Sequence, residues 1–148
     1  MSSISAIVPY IVVREADAAI AFYLAAFGAK ELFRMTDPAD GRIGHAELKF
    51  GESTLMLADE YPDFGAVGPD TIGGTPVTLH LVTGAVDADF ARAVEHGAKG
   101  LRAPADQSFG ERNALVLDPF GHRWMLSQMI EAVSPEEMQE RWNAETGA

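Results

Sequence analysis

The amino-acid sequence predicts an α+β chain of two βαβββ modules, each a curved sheet of antiparallel and mixed strands, sharing a cleft and followed by a short C-terminal helix. Three observations carry this expectation. The tripeptide Gly28-Ala29-Lys30 recurs as Gly97-Ala98-Lys99, 69 residues later, and self-similarity at a fixed offset marks a repeated unit. Each copy follows an apolar strand-like run and a segment of helical period. Each is succeeded by three short strand-like segments separated by turn residues.

The first module is expected over residues 4–60. Its first strand is the apolar run from Ile7 to Val13. The helix that follows, Ala16 to Phe27, sets Ala16, Ile20, Tyr23, Leu24 and Phe27 at three- and four-residue spacing, which places them on one face. Gly28 ends it, because glycine tolerates the left-handed conformation of a helix C-terminus. Strands are expected at Glu31–Thr36, Ile43–Phe50 and Ser53–Ala58, divided by turn-forming residues at 37–41 and at Gly51-Glu52. Residues 61–75, with Gly65, Gly68, Gly73, Gly74, Pro62 and Pro69, read as a linker.

The second module is expected over residues 76–130. Val77–Val82 is its first strand, Val86–His96 its helix, and Gly100–Arg102, Asn113–Leu117 and His122–Met129 its remaining strands. The last two are joined by Asp118-Pro119-Phe120-Gly121, with proline at a central turn position and glycine closing it. Ser134-Pro135-Glu136-Glu137 then supplies an N-cap, a proline at the first helical position and acids in the first turn. A helix is expected over 134–146 with Met138 and Trp142 on one face.

With 148 residues, 47% of them hydrophobic and 22% charged, the composition is that of a globular protein rather than a disordered one. A formal charge of −11 without any basic cluster argues against a nucleic-acid partner, whose phosphates are gripped by grouped Lys and Arg. No apolar run reaches the roughly 20 residues of a membrane helix, and the N-terminus lacks the pattern of a signal peptide. A cytoplasmic location is the expectation. The absence of cysteine removes disulfides and thiolate chemistry. Phosphate-binding glycine loops and nucleophile elbows are missing as well.

Three segments carry a resemblance: Pro9-Tyr10-Ile11-Val12-Val13, Ala19-Ile20-Ala21-Phe22-Tyr23 with Phe27-Gly28-Ala29, and Asp118-Pro119-Phe120-Gly121-His122. Together they resemble the vicinal oxygen chelate superfamily, which includes glyoxalase I, extradiol dioxygenases, fosfomycin resistance enzymes and bleomycin-binding proteins. His45-Ala46-Glu47-Leu48 and Leu55-Met56-Leu57-Ala58-Asp59-Glu60 resemble its PhnB-like branch. The resemblance implies paired βαβββ modules within one domain spanning 1–148, and a homodimer. In metal-dependent members it implies four inward His, Gln or Glu ligands, at positions that fall here on Val8, Met56, Thr78 and Met125.

Those four residues cannot make a hard divalent site, which needs imidazole and carboxylate donors. No cofactor is therefore expected. Met56 and Met125 also stand at the repeat offset, and flexible thioethers make an adaptable apolar wall. The ligand-binding candidates are Tyr10, Met56, Thr78, His80, Phe109, Arg112 and Met125. His80, His45 and Glu47 are the candidate catalytic residues, since a histidine and a carboxylate on one strand face can exchange protons. Each also has a structural alternative: His80 bonded to a neighbouring strand, His45 and Glu47 as a surface pair, Arg112 paired with Glu111 or Asp118.

The leading expectation is a protein that binds a small, partly apolar or aromatic molecule without a metal. A metal-dependent lyase or isomerase using His45, Glu47 and His80, with a divalent metal, is the alternative. A scaffold or regulatory dimer with no dedicated ligand is the third.

Overall fold

The computed structural model describes residues 1–147, which fall into two compact units, Met1–Thr75 and Pro76–Ala148. The first contains β1 (Tyr10–Val13), α1 (Ala16–Phe27), β2 (Lys30–Thr36), β3 (Ile43–Phe50), β4 (Ser53–Asp59) and the short α2 (Pro69–Ile72). The second contains β5 (Thr78–Val82), α3 (Val86–Glu95), β6 (Lys99–Asp106), β7 (Glu111–Leu117), β8 (Arg123–Met129) and α4 (Pro135–Glu145). Each unit holds a four-stranded mixed sheet, ordered β1-β4-β3-β2 in the first and β5-β8-β7-β6 in the second. In both, the first strand runs parallel to the last, and the remaining pairs are antiparallel. The α+β fold of two βαβββ modules with a short terminal helix is thus present.

Alternation along the strands sorts each sheet into two faces. In the first unit Ile11, Val13, Ala46, Leu48, Leu55 and Leu57 are buried beside Ile20 and Tyr23 of α1. Each of the larger side chains stabilises the fold by about 1.5–3 kcal/mol on leaving water. In the second unit Ala114, Val116, Trp124 and Leu126 fill the same role beneath Val86 and Ala93 of α3. The opposite faces carry the polar residues considered below.

A repeated device starts both long helices. Neither Glu15 nor Ala85 caps its helix through a side chain. Instead Asp59, at the end of β4, accepts from the Ala16 N–H at 2.7 Å and from the Ile43 N–H at 2.7 Å. Gln128, on β8, accepts from the Val86 N–H at 3.1 Å. The last strand of each module therefore satisfies a free N–H group at the start of its own helix. Gly28 closes α1 with φ 69°, the left-handed geometry that spares a glycine any Cβ clash.

Three segments differ most from the sequence reading. β1 begins at Tyr10 rather than Ile7. Pro9 has no N–H to give the ladder, although its carbonyl accepts from the Met56 N–H at 2.9 Å. Ile7 is left fully exposed. β6 extends to Asp106 through Pro104, because it is an edge strand with register shifts and such strands tolerate proline. Residues 61–75 are folded onto the first unit: Glu60 accepts from the Gly68 N–H at 2.8 Å and the Thr71 hydroxyl at 2.5 Å, and Arg14 bonds Asp70.

Candidate functional site

Strand register sets the site of the first unit. Tyr10 of β1 lies beside Met56 of β4, Met56 beside Glu47 of β3, and Glu47 beside Phe33 of β2. These four form a row across the face turned away from α1. Tyr10 is half-exposed and Phe33 is 44% exposed, so the row presents an aromatic at each end with a thioether and a carboxylate between.

His45 sits one step along the same face and joins the row into a hydrogen-bonded chain. The Tyr10 hydroxyl lies 2.8 Å from His45 Nδ1, and His45 Nε2 lies 2.9 Å from Glu47 Oε2. An ionised carboxylate only accepts, so Nε2 carries a proton and donates to Glu47. Neutral imidazole then has Nδ1 as acceptor, and the Tyr10 hydroxyl donates to it. The imidazole is also flanked by rings, with centroids 5.3 Å from Tyr10 and 5.7 Å from Phe33. Burial of its hydroxyl, with the Glu47 charge as a second cause, pushes the Tyr10 phenol above its ordinary range. Tyr10 therefore stays protonated and presents its remaining oxygen lone pair to the face.

The second unit repeats the layout with other residues. His80 of β5 lies beside Met125 of β8, Met125 beside Leu115 of β7, and Leu115 beside Arg102 of β6. A polar chain crosses the next rung. His80 Nε2 is 2.6 Å from Ser127 Oγ, and Ser127 Oγ donates to Glu111 Oε1 at 3.1 Å. Asn113 donates to the same oxygen at 2.8 Å and accepts from Arg102 at 2.8 Å. Asn113 and Ser127 are 1% and 3% exposed, so each polar atom needs its partner. Ser127 has one proton and gives it to Glu111. His80 Nε2–H must then be the donor to Ser127, and whenever the ring is neutral Nδ1 is its acceptor.

The candidates from sequence are distributed unequally. Tyr10, Met56, His45 and Glu47 come together on one face, as do His80 and Met125 on the other sheet. Val8 precedes β1, and the parallel register puts Tyr10 rather than Val8 beside Met56. Thr78 pairs with Arg123, not with Met125. Arg112 is engaged by carboxylates of its own unit. It alternates onto the α3 side of β7, where Asp87 of α3 takes Nε at 3.0 Å and an NH2 nitrogen at 2.9 Å, and Asp106 takes the other at 3.0 Å. The two carboxylates hold its guanidinium far above its ordinary range. Phe109 lies in the β6–β7 loop and lines a pocket against α4 instead of a sheet face. Phe33, Glu111, Ser127 and Asn113 were missed in the sequence; the period-two alternation of β7 and β8 could have flagged the last three.

The metal implied by the resemblance does not fit these positions. Met56 and Met125 offer thioethers, poor donors for a hard divalent cation, and the single carboxylate in the first row, Glu47 beside Met56, does not complete a donor set. Among the described residues no group of three His, Asp or Glu side chains is placed to hold a metal ion. No helix among them is long and apolar enough to cross a membrane.

The family model described as the Glyoxalase/Bleomycin resistance protein/Dioxygenase superfamily matches residues 3–126. An uncharacterised protein of Mycobacterium tuberculosis is 44% identical over 137 residues, covering 90% of this chain and 80% of that protein. TioX from Micromonospora sp. ML1 is 28% identical with a TM-score of 0.66, over 85% of this chain and 99% of TioX. A gene product of Arabidopsis thaliana is 25% identical with a TM-score of 0.68, over 84% of this chain and 98% of that one. A glyoxalase/bleomycin resistance protein/dioxygenase from Nocardioides, 21% identical with a TM-score of 0.67 over 91% and 89% of the two chains, shares the fold.

Proposed function

The chain belongs to the glyoxalase/bleomycin resistance protein/dioxygenase superfamily, and from that premise we propose that it binds a small, partly apolar or aromatic molecule without a metal ion. The observation that carries this reading is the Tyr10–Met56–Glu47–Phe33 row with His45 behind it. Two aromatic side chains and a thioether offer stacking and dispersion to a flat apolar body. The lone pair of Tyr10 and the outer oxygen of Glu47 accept from hydroxyl or amino groups on its rim. Such a wall with a few placed polar groups is the usual composition of a small-molecule site. On the second unit's own sheet, His80 beside Met125 pairs an imidazole with a thioether in the same way. The working form proposed is a cytoplasmic homodimer, in keeping with the family resemblance.

The test is a thermal-shift screen of hydroxylated and amino-substituted aromatics on metal-stripped protein, paired with elemental analysis of the protein as purified. A true ligand at about 100 times its Kd stabilises the fold by about 2.7 kcal/mol. Met56→Glu, which sets a second carboxylate beside Glu47, is expected to abolish that shift. Stoichiometric Zn, Ni, Mn or Fe in the purified protein, or a ligand shift that requires added metal, would overturn the proposal.

A further inference from the structure

We propose a second binding site, independent of the sheet faces, in which the C-terminal helix and the β6–β7 loop sandwich a planar cationic aromatic molecule between Trp142 and Phe109, with Glu145 as counter-ion. The feature behind it is a pocket of about 440 Å³ walled by Ser108 and Phe109 of the loop and by Met138, Gln139, Trp142 and Glu145 of α4. Its size lies within the roughly 300–1,000 Å³ of small-molecule pockets. Residues 138, 142 and 145 recur at helical spacing, so one face of α4 supplies the whole outer wall.

The helix is held in a way that keeps this wall open. None of its side chains is buried, so ordinary core packing does not fix it. Arg141 does: one guanidinium nitrogen donates to the Ser108 carbonyl at 2.6 Å and to Glu131 at 3.1 Å, the second to Glu131 at 2.8 Å, and Nε to Glu137 at 3.2 Å. The Ser134 hydroxyl accepts from the Glu137 N–H at 3.1 Å and caps the start. These bonds clip α4 to the loop that carries Phe109 while leaving Trp142 62% and Phe109 40% exposed.

Charge selects the occupant. Arg141 is the only base on α4 and is consumed by Glu131 and Glu137, so the pocket lining contains one charged group, the Glu145 carboxylate. Glu136 and Glu140 add negative charge along the same helix, on a chain of net charge −11. An indole and a phenyl ring facing a cation gain cation–π attraction, a thioether adds contact with ring edges, and Ser108 and Gln139 provide hydrogen-bonding partners for ring N–H groups. An anion would face the Glu145 carboxylate, while the nearby Arg141 is already engaged by Glu131 and Glu137.

Three three-ring probes separate shape from charge: proflavine (cationic), acridine (neutral at pH 7.5) and anthracene-9-carboxylate (anionic), followed by fluorescence anisotropy on the intact chain. Proflavine is expected to bind saturably at one site per chain, acridine more weakly and anthracene-9-carboxylate not measurably. Trp142→Ala should weaken proflavine about tenfold or more and Trp142→Phe much less. Glu145→Gln should weaken proflavine by about threefold or more, leave acridine unchanged and flatten the salt dependence. Binding at Trp142 should persist with the same Kd in Tyr10→Ala, so any further class of proflavine sites lost there belongs to the sheet face, and failure of the sheet-face reading leaves this result standing. Equal binding of all three probes, an unchanged Kd in Trp142→Ala, or a loss seen in Tyr10→Ala instead would overturn the proposal. So would sedimentation showing that Trp142→Ala turns a dimer into monomers, because a second copy would then cover the pocket.

Discussion

The bond from Ser127 to Glu111 dictates the tautomer of His80, and Glu111→Ala tests that dependence. Ser127 has one proton. While Glu111 takes it, His80 must hold its own proton on Nε2 to satisfy the 2.6 Å contact with Ser127. Removing the carboxylate frees the hydroxyl to rotate and donate to Nε2, which moves the imidazole proton to Nδ1. Ser127 is thereby re-satisfied, and only Asn113 Nδ2 is stranded, on a side chain that is 1% exposed. One buried donor without a partner costs about 1–3 kcal/mol, or roughly 2–12 °C of melting temperature in a chain of this length. The assay is long-range 15N–1H correlation on histidine-labelled protein at alkaline pH. It should report an Nε2–H tautomer for His80 in the wild type and an Nδ1–H tautomer in Glu111→Ala. Glu111→Gln retains an amide oxygen for both donors and should keep Nε2–H. An unchanged His80 tautomer in Glu111→Ala, or a loss of stability well above 3 kcal/mol, would show that Glu111 does not act through Ser127.

Further expectations concern groups whose partners are equally well defined. Asp118 accepts from the N–H groups of Phe120 at 2.8 Å and His122 at 3.0 Å and from the Trp124 indole at 2.8 Å, all at a buried turn. Asp118→Ala should cost about 3 kcal/mol or more by stranding these donors, read by urea denaturation; a cost under about 1 kcal/mol would contradict the assignment. Gly110 has φ +95°, and an added Cβ would overlap the Glu131 carbonyl oxygen and sit 2.8 Å from Val133 Cγ2. Gly110→Ala should therefore lower the melting temperature by several degrees and loosen α4, visible as faster amide exchange there. For Tyr10, Glu47→Gln should bring the phenol partway back toward its ordinary range but not fully, since burial is the larger cause. Phenolate absorbance, with Tyr10→Phe subtracted, follows this titration. Because the folded phenol titrates above the unfolded one, its stabilisation is complete below about pH 10 and is lost as pH rises through the folded value. Wild-type stability should accordingly fall more steeply than that of Tyr10→Phe in that alkaline window.

The module plan was legible because it rests on local signals. The Gly-Ala-Lys repeat, the helical spacing of Ile20, Tyr23 and Phe27, and the turn at 118–121 each state their element within a few residues. His45 and Glu47 shared a face for the same reason, period-two alternation along a single strand. What was hidden depends on register between distant segments. Nothing near Tyr10 says that it rather than Val8 abuts Met56, since that follows from where the β1–β4 ladder starts after Pro9. Arg112 looked available because its partner Asp87 is 25 residues away, on α3. The Asp59 and Gln128 bonds to the helix starts were equally invisible: both span more than 40 residues.

Register also shows what duplication kept and what it did not. Matching the ladders sets Tyr10–Met56–Glu47–Phe33 against His80–Met125–Leu115–Arg102. Of the four places only the methionine is common, and it lies on the innermost pair of each sheet, beside the first strand. The polar groups have moved apart in character. One face carries a carboxylate at the centre of its row and an aromatic at its edge, while the other carries an aliphatic centre and a guanidinium edge. A metal site built by symmetric duplication requires equivalent donors at equivalent rungs, and here the equivalent rung is a thioether. The shared element is thus suited to apolar contact on each sheet, while the divergent elements give the two faces different polar character, acceptors at Tyr10 and Glu47 on one and a guanidinium at Arg102 on the other.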